Sequence, residues 1–186
     1  MTVKTLREGV TKFTTPKYPK TQRSPDQVKA KTSMAEELVA HFRDRYNSLS
    51  ETEDKRFLRD LIDFQMRRYQ GYAVEAEFKA HYRTGSVYNS DKQIFEHVLP
   101  LCRGRDMLIG GQLTPIQALQ IPTCLVTPEQ DKLITKAGRV SHSDDYWLIF
   151  SRYDCFQDVI MTHDGKVIDP KTWTLADHYK HFKIKV

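Results

Sequence analysis

The sequence lacks any long apolar run. No stretch of about 18 consecutive apolar residues, the length that a membrane-spanning helix needs, occurs among its 186 positions. The opening residues Met-Thr-Val-Lys-Thr-Leu-Arg also lack the apolar stretch of a secretory signal. We therefore predict a protein that does not act in or across a membrane.

Cysteine is scarce. The only three, Cys102, Cys124 and Cys155, are far apart, and no Cys-x-x-Cys motif occurs. This pattern excludes a disulfide framework and a zinc ribbon, and we predict no metal and no cofactor. Unpaired thiols favour a reducing compartment. The prediction is a cytoplasmic protein, or, for a viral one, the host-cell cytoplasm or the assembled particle.

Positive charge is concentrated at one end of the chain. The first 31 residues hold eight Lys or Arg against Glu8 and Asp26, a net charge of +6. The remaining 155 residues hold 21 basic and 22 acidic side chains. The sequence therefore predicts a nearly neutral body with a basic arm at residues 1–24.

The arm has the composition of a nucleic-acid-binding segment. It has two prolines and few aliphatic residues between positions 11 and 23, so it cannot bury enough apolar surface to offset its ordering entropy. Basic side chains release counterions from phosphates, and aromatic rings stack on unpaired bases. The candidate binding residues are Lys12, Phe13, Lys17, Tyr18, Lys20 and Arg23. The alternatives are a solvated tail and an arm that lies on an acidic protein partner.

Capping signals predict where the helices of the body begin. Ser24-Pro25-Asp26-Gln27 and Ser50-Glu51-Thr52-Glu53 each precede an apolar pattern with three-to-four spacing. We predict one helix from Ser24 to about Ser48 and a second that Gly71 ends. A weaker helix is predicted over 73–82, and Ser90-Asp91-Lys92-Gln93 predicts another that ends near Pro100. Short helices are predicted after Thr114 and Thr127, which precede Pro-x-Gln.

Short apolar runs after Gly104 predict strands at 107–109, 123–126, 146–150 and 159–161. Asp164-Gly165 predicts a tight hairpin turn before Val167-Ile168. The predicted fold class is α+β, with the arm, three to four helices and then a small, mainly antiparallel sheet. We predict a single domain over 25–186, helical over 25–103 and β-rich over 104–186.

Two arginines flank a glycine in Arg103-Gly104-Arg105. Such a pair can bind phosphate or carboxylate in a bidentate manner, which makes Arg103 and Arg105 candidate binding residues. The alternative is a polar turn between a helix and a strand.

Histidine and aspartate are concentrated near the C-terminus, in Asp177-His178-Tyr179-Lys180-His181-Phe182. This ending and the hairpin before it resemble the last 30 or so residues of the microbial, barnase-like ribonucleases. The resemblance implies that His178 is a general acid, and it implies an extended strand there. The spacing of Leu175, Tyr179 and Phe182 instead predicts a short amphipathic helix over 174–182.

The sequence favours a non-enzymatic subunit of a nucleoprotein or viral-type assembly, whose arm binds nucleic acid or an acidic partner surface, with further protein subunits as partners. The first alternative is a divergent ribonuclease that uses His178, with Arg152 or Lys166. The second is a small regulatory protein that binds another protein through its body.

Overall fold

The computed structural model describes residues 24–138 and 147–185, so most of the predicted arm lies outside it. No helix in these two ranges is both long and apolar enough to cross a membrane. The described residues form two compact units. The helical unit comprises 24–77, 99–121 and 179–185, and the sheet unit comprises 78–98, 122–138 and 147–178.

The helical unit begins with two long helices, α1 (Pro25–Ser48) and α2 (Thr52–Tyr69). The predicted capping box at Ser24 is confirmed: the Gln27 main-chain N–H donates to Ser24 Oγ at 3.2 Å, and the Ser24 N–H donates to Gln27 Oε1 at 3.0 Å. The predicted cap before α2 does not form, because Glu51 stands at the N-cap and makes no side-chain hydrogen bond there.

A π-helical turn follows α2 directly. It spans Gln70–Val74 and leads into a single α-helical turn, Glu75–Glu77. The prediction that Gly71 ends the helix is therefore wrong. The predicted helix over 73–82 is also wrong beyond Glu77, since Tyr82, the last residue of that prediction, begins a strand.

The helical unit also contains two shorter helices, α3 (Leu101–Ile109) and α4 (Pro115–Leu119). Thr114 caps α4 with Gln117, as predicted. Gly104 lies inside α3, where a Cβ atom would stand 3.1 Å from Ile121 and 3.2 Å from Met66. The sequence suggested a turn at this glycine, but what it provides is close helix packing.

The sheet unit contains five strands: β1 (Tyr82–Thr84), β2 (Ile94–His97), β3 (Thr123–Val126), β4 (Ile160–Thr162) and β5 (Val167–Ile168). Their spatial order is β2-β3-β1-β4-β5, with β1 and β3 parallel and the other three pairs antiparallel. Helix α5 (Pro128–Gly138) follows β3. The predicted α+β class with a mainly antiparallel sheet is confirmed.

The predictions of strands β3, β4 and β5 are confirmed. The β3 strand has the predicted bounds, and β4 and β5 form the predicted hairpin, with Gly165 at φ 89° in its turn. Gln130 and Thr127 exchange hydrogen bonds at the start of α5, as the capping pattern indicated. The hairpin turn and the cap of α5 depend on neighbours within four residues, which a sequence pattern can capture.

Several local predictions are wrong. Residues 94–97 form strand β2 instead of a helix, because they pair with β3 and Phe95 packs against Ala80, Val87 and Leu125. Residues 107–109 lie in α3 instead of a strand. In 147–150 only a single bridge forms, between Leu148 and Thr174. The predicted order of helices first and strands second also fails, since β1 and β2 precede α3.

Residues Leu175–His181 form helix α6, so the amphipathic pattern predicted this segment correctly. The extended strand that the ribonuclease resemblance implies is not formed there. Buried Leu175 and Tyr179 lie on one side of α6, four residues apart, as a helix with one apolar face requires.

Candidate functional site

The arm residues Lys12, Phe13, Lys17, Tyr18, Lys20 and Arg23 lie outside the described residues. Their binding role therefore stays a prediction. What the structure describes is the point at which the arm joins the body, because Ser24 is the N-cap of α1.

The first turns of α1 continue the basic charge of the arm. Lys29 and Lys31 are both exposed, and the first buried residue of the helix is Ala35. The Lys31 Nζ atom lies 5.9 Å from the ring centre of Tyr72, a cation–π distance. This end of α1 therefore presents two accessible cations immediately after the arm.

Arg105 lies in α3 and points into the helical unit. Its Nη1 atom donates to Asp63 Oδ2 at 2.6 Å and its Nε atom donates to Asp106 Oδ1 at 3.0 Å. Arg59 donates to the same Asp106 oxygen at 2.9 Å. The Arg105 side chain is only 10% exposed, so its guanidinium is occupied by two carboxylates of its own unit. This supports a structural role for Arg105.

Burial governs the charge of Asp63. It raises the pKa of the Asp63 carboxyl above its ordinary value, and the positive charge of Arg105 offsets part of that rise. The guanidinium therefore stabilises the ionised form of the Asp63 carboxyl against the cost of its burial. Arg103 lies two residues earlier on α3, is half-buried, and also has interactions within the chain.

A buried hydrogen-bond network surrounds Tyr82 on β1. Trp173 Nε1 donates to Tyr82 Oη at 2.9 Å, and Tyr82 Oη lies 3.0 Å from His178 Nδ1. Burial raises the pKa of Tyr82 far above its ordinary value, although the Trp173 hydrogen bond works in the opposite direction. The hydroxyl therefore keeps its proton over the physiological pH range.

A second histidine lies beside this network. The ring of His81 meets that of His178 edge-on, with 4.7 Å between ring centres. His81 Nδ1 lies 2.9 Å from Thr123 Oγ1 on β3, and Phe78 contacts both His81 and His163. These side chains join β1, β3, the β4–β5 hairpin and the start of α6 in one polar cluster.

His178, the general acid that the ribonuclease resemblance implies, has no exposed surface. A side chain so buried cannot reach a phosphodiester without movement of the surrounding chain. Arg152 donates to Glu96 at 3.3 Å and to the His97 carbonyl at 3.2 Å. Lys166 lies 4.7 Å from the Trp173 ring. The arrangement supports a structural role for His178.

Sequence reasoning missed most of this cluster. Tyr82 was placed at the end of a weak helix, and His81 was not singled out. Tyr82 and His178 are 96 positions apart, and no local pattern relates them. The only available signal was the concentration of His and Asp near the C-terminus.

We expect Tyr82→Phe to lower the free energy of unfolding by about 2 kcal/mol, since it leaves the Trp173 N–H and His178 without their shared partner. Urea unfolding followed by circular dichroism measures this. The matched control is Tyr179→Phe, which removes the hydrogen bond that Tyr179 Oη donates to the Gln117 carbonyl at 3.2 Å, and should cost about 1 kcal/mol. Equal losses in the two variants would contradict the network's importance.

Searches with family models, among curated proteins and among solved structures found no match to this chain.

Proposed function

We propose that this protein is a non-enzymatic, nucleic-acid-binding component of a larger nucleoprotein assembly. The observation that carries the proposal is the segregation of charge. The first 31 residues have a net charge of +6, and the other 155 residues are close to neutral. A polycationic segment binds phosphate chains by releasing their counterions.

The described residues support this division of roles. Three arginines of the body are engaged by carboxylates, Arg59 and Arg105 with Asp106, and Arg152 with Glu96, whereas others, such as Arg56 on α2, are exposed. Lys29 and Lys31 are also exposed, at the start of α1. The accessible positive charge therefore continues from the arm onto the adjoining helix.

The aromatic residues of the arm favour single strands. Phe13 and Tyr18 are interleaved with Lys12, Lys17 and Lys20. In a single strand the bases are free to stack on aromatic rings, whereas in a duplex they are stacked on one another. We therefore infer that single-stranded RNA or DNA is preferred over duplex.

The salt dependence of binding tests this function. We expect the full-length protein to bind a labelled single strand with an affinity that falls steeply with salt. The slope of log K against log salt should be about −4 if about six phosphates are neutralised. Fluorescence anisotropy across salt concentrations measures it, with a labelled acidic peptide as the comparison. Absence of binding to nucleic acid, with tight binding to the peptide, would favour an acidic protein partner.

The double substitution Phe13→Leu with Tyr18→Leu tests the stacking. It keeps every charge, so the salt slope should be unchanged, while affinity for single strands falls about tenfold or more through lost stacking. Affinity for duplex should hardly change. A loss that is equal for single strands and duplex would argue against base stacking.

A further inference from the structure

Helix α2 has a second apolar stripe besides the one that packs into its unit. Leu58, Ile62 and Met66 are buried. Phe57 and Phe64 are instead 63% and 52% exposed. Seven residues bring a helix back to within about 20° of the same direction, so the two phenylalanine rings form one stripe on the exposed side.

A row of mixed character runs beside the phenylalanines. Asp54, Leu61 and Arg68 are also spaced seven apart. Asp54 and Arg68 are exposed and Leu61 is half-buried. The Arg68 guanidinium carbon lies 5.8 Å from the Phe64 ring centre, which places this cation against the stripe. The row therefore has an acid at one end, an apolar residue in the middle and a base at the other end.

We propose that this face of α2 binds the same face of a second copy of the chain, with the two helices antiparallel. Phe57 then meets Phe64 of the second copy, and Leu61 meets its own counterpart. Asp54 of each copy meets Arg68 of the other. Because the same patch is used twice, the contact closes as a symmetric dimer.

The charges select this orientation. The midpoint of α2 lies between Asp60 and Leu61, and it is also the midpoint between Phe57 and Phe64. The midpoint between Asp54 and Arg68 lies half a residue away, so an antiparallel copy centred there brings both pairs together. A parallel pair would place Asp54 beside Asp54 and Arg68 beside Arg68, and like charges repel. Asp54 and Arg68 are fourteen residues apart and therefore lie along the same edge of the helix face. In an antiparallel pair, that edge of one helix lies beside the same edge of the other.

The same two charges cannot pair within one chain. Fourteen residues of helix separate Asp54 from Arg68, about 21 Å along the axis. Any favourable coupling between them must therefore arise between two copies. Substitutions that reverse the charges at Asp54 and Arg68, singly and together, therefore test the contact directly.

The experiment is sedimentation velocity on the full-length chain without nucleic acid, from about 1 to about 500 µM, a range suited to a small interface. We expect the mass to rise from that of the 21.8 kDa monomer toward twice that value. Asp54→Arg and Arg68→Asp should each weaken the dimer about tenfold, and the double variant should restore it to within about threefold of the original.

Phe57→Gln with Phe64→Gln should abolish the dimer in this range. Met34→Gln, at a 54% exposed position on α1, is the matched control and should leave it intact. Circular dichroism establishes that each variant is folded. A monomer at every concentration would overturn the proposal and leave this stripe to a different partner. A dimer that the phenylalanine substitutions do not weaken, or a double charge variant that fails to recover, would also overturn it.

Discussion

Removal of residues 2–23 should weaken binding to single-stranded nucleic acid about 1,000-fold at low salt. The deletion takes away six basic side chains and one acidic one, and each phosphate contact contributes to the counterion release that drives binding. Ser24 is kept because its side chain caps α1, and loss of a cap costs about 1 kcal/mol. Thermal unfolding should therefore be nearly unchanged. Anisotropy titrations of the full-length and shortened proteins at one salt concentration give the ratio.

A scrambled arm of identical composition is the control for this deletion. It should retain most of the affinity, because counterion release depends on charge more than on order. An unchanged affinity after the deletion would contradict the proposed function. Cleavage of the RNA during the titration would instead support the enzymatic alternative. Loss of that cleavage in a His178→Ala variant that circular dichroism shows to be folded would assign it to this histidine.

Arg105→Ala should lower the free energy of unfolding by about 3 kcal/mol at neutral pH. The substitution leaves the Asp63 carboxylate in a partly buried position without the guanidinium that donates to it at 2.6 Å, and breaking a buried ion pair from one side is costly. Urea unfolding measures the loss. The affinity of the folded variant for nucleic acid should stay within about threefold of the original, since the arm is untouched.

The stability loss caused by Arg105→Ala should depend on pH. Burial already raises the pKa of Asp63 in the folded chain, so its ionised form is disfavoured and the carboxyl takes up a proton readily as pH falls. Once it is neutral, the missing guanidinium matters less. The deficit of Arg105→Ala should therefore be largest at neutral pH and shrink in acid.

A double variant separates the ion pair from packing. Arg105→Met with Asp63→Leu removes both charges and should recover most of the stability, as apolar replacements of buried ion pairs do. Arg56→Ala, at an exposed position on α2, is the surface control and should change stability by less than about 0.5 kcal/mol. A loss in Arg105→Ala no larger than in Arg56→Ala would contradict the structural role of Arg105.

Local features of the fold followed from the sequence where neighbouring residues decide the conformation. Ser24 with Gln27, and Thr114 with Gln117, form the predicted reciprocal caps. Asp164-Gly165 forms the predicted turn, because glycine accepts its positive φ without cost. Each of these depends on groups within four positions of one another.

Segments whose conformation depends on distant partners were predicted poorly. Residues 94–97 have apolar spacing that suits a helix, but β3 offers them a pairing edge and they form β2. Gly104 suggested a turn between Arg103 and Arg105. It lies inside α3 instead, where a Cβ atom would stand 3.1 Å from Ile121 and 3.2 Å from Met66, closer than ordinary van der Waals contact.

The sequence by itself determined where positive charge is concentrated, since charge is counted along the chain and needs no contacts. Its apolar spacing also predicted the amphipathic helix that holds His178, although the ribonuclease resemblance implied a strand there, and the structure shows the helix. Only the tertiary structure decided that Arg105 is occupied by Asp63 and that His178 is buried beside Tyr82. These contacts join residues 42 and 96 positions apart. They form because burial strongly favours pairing of polar groups, whatever their distance along the chain.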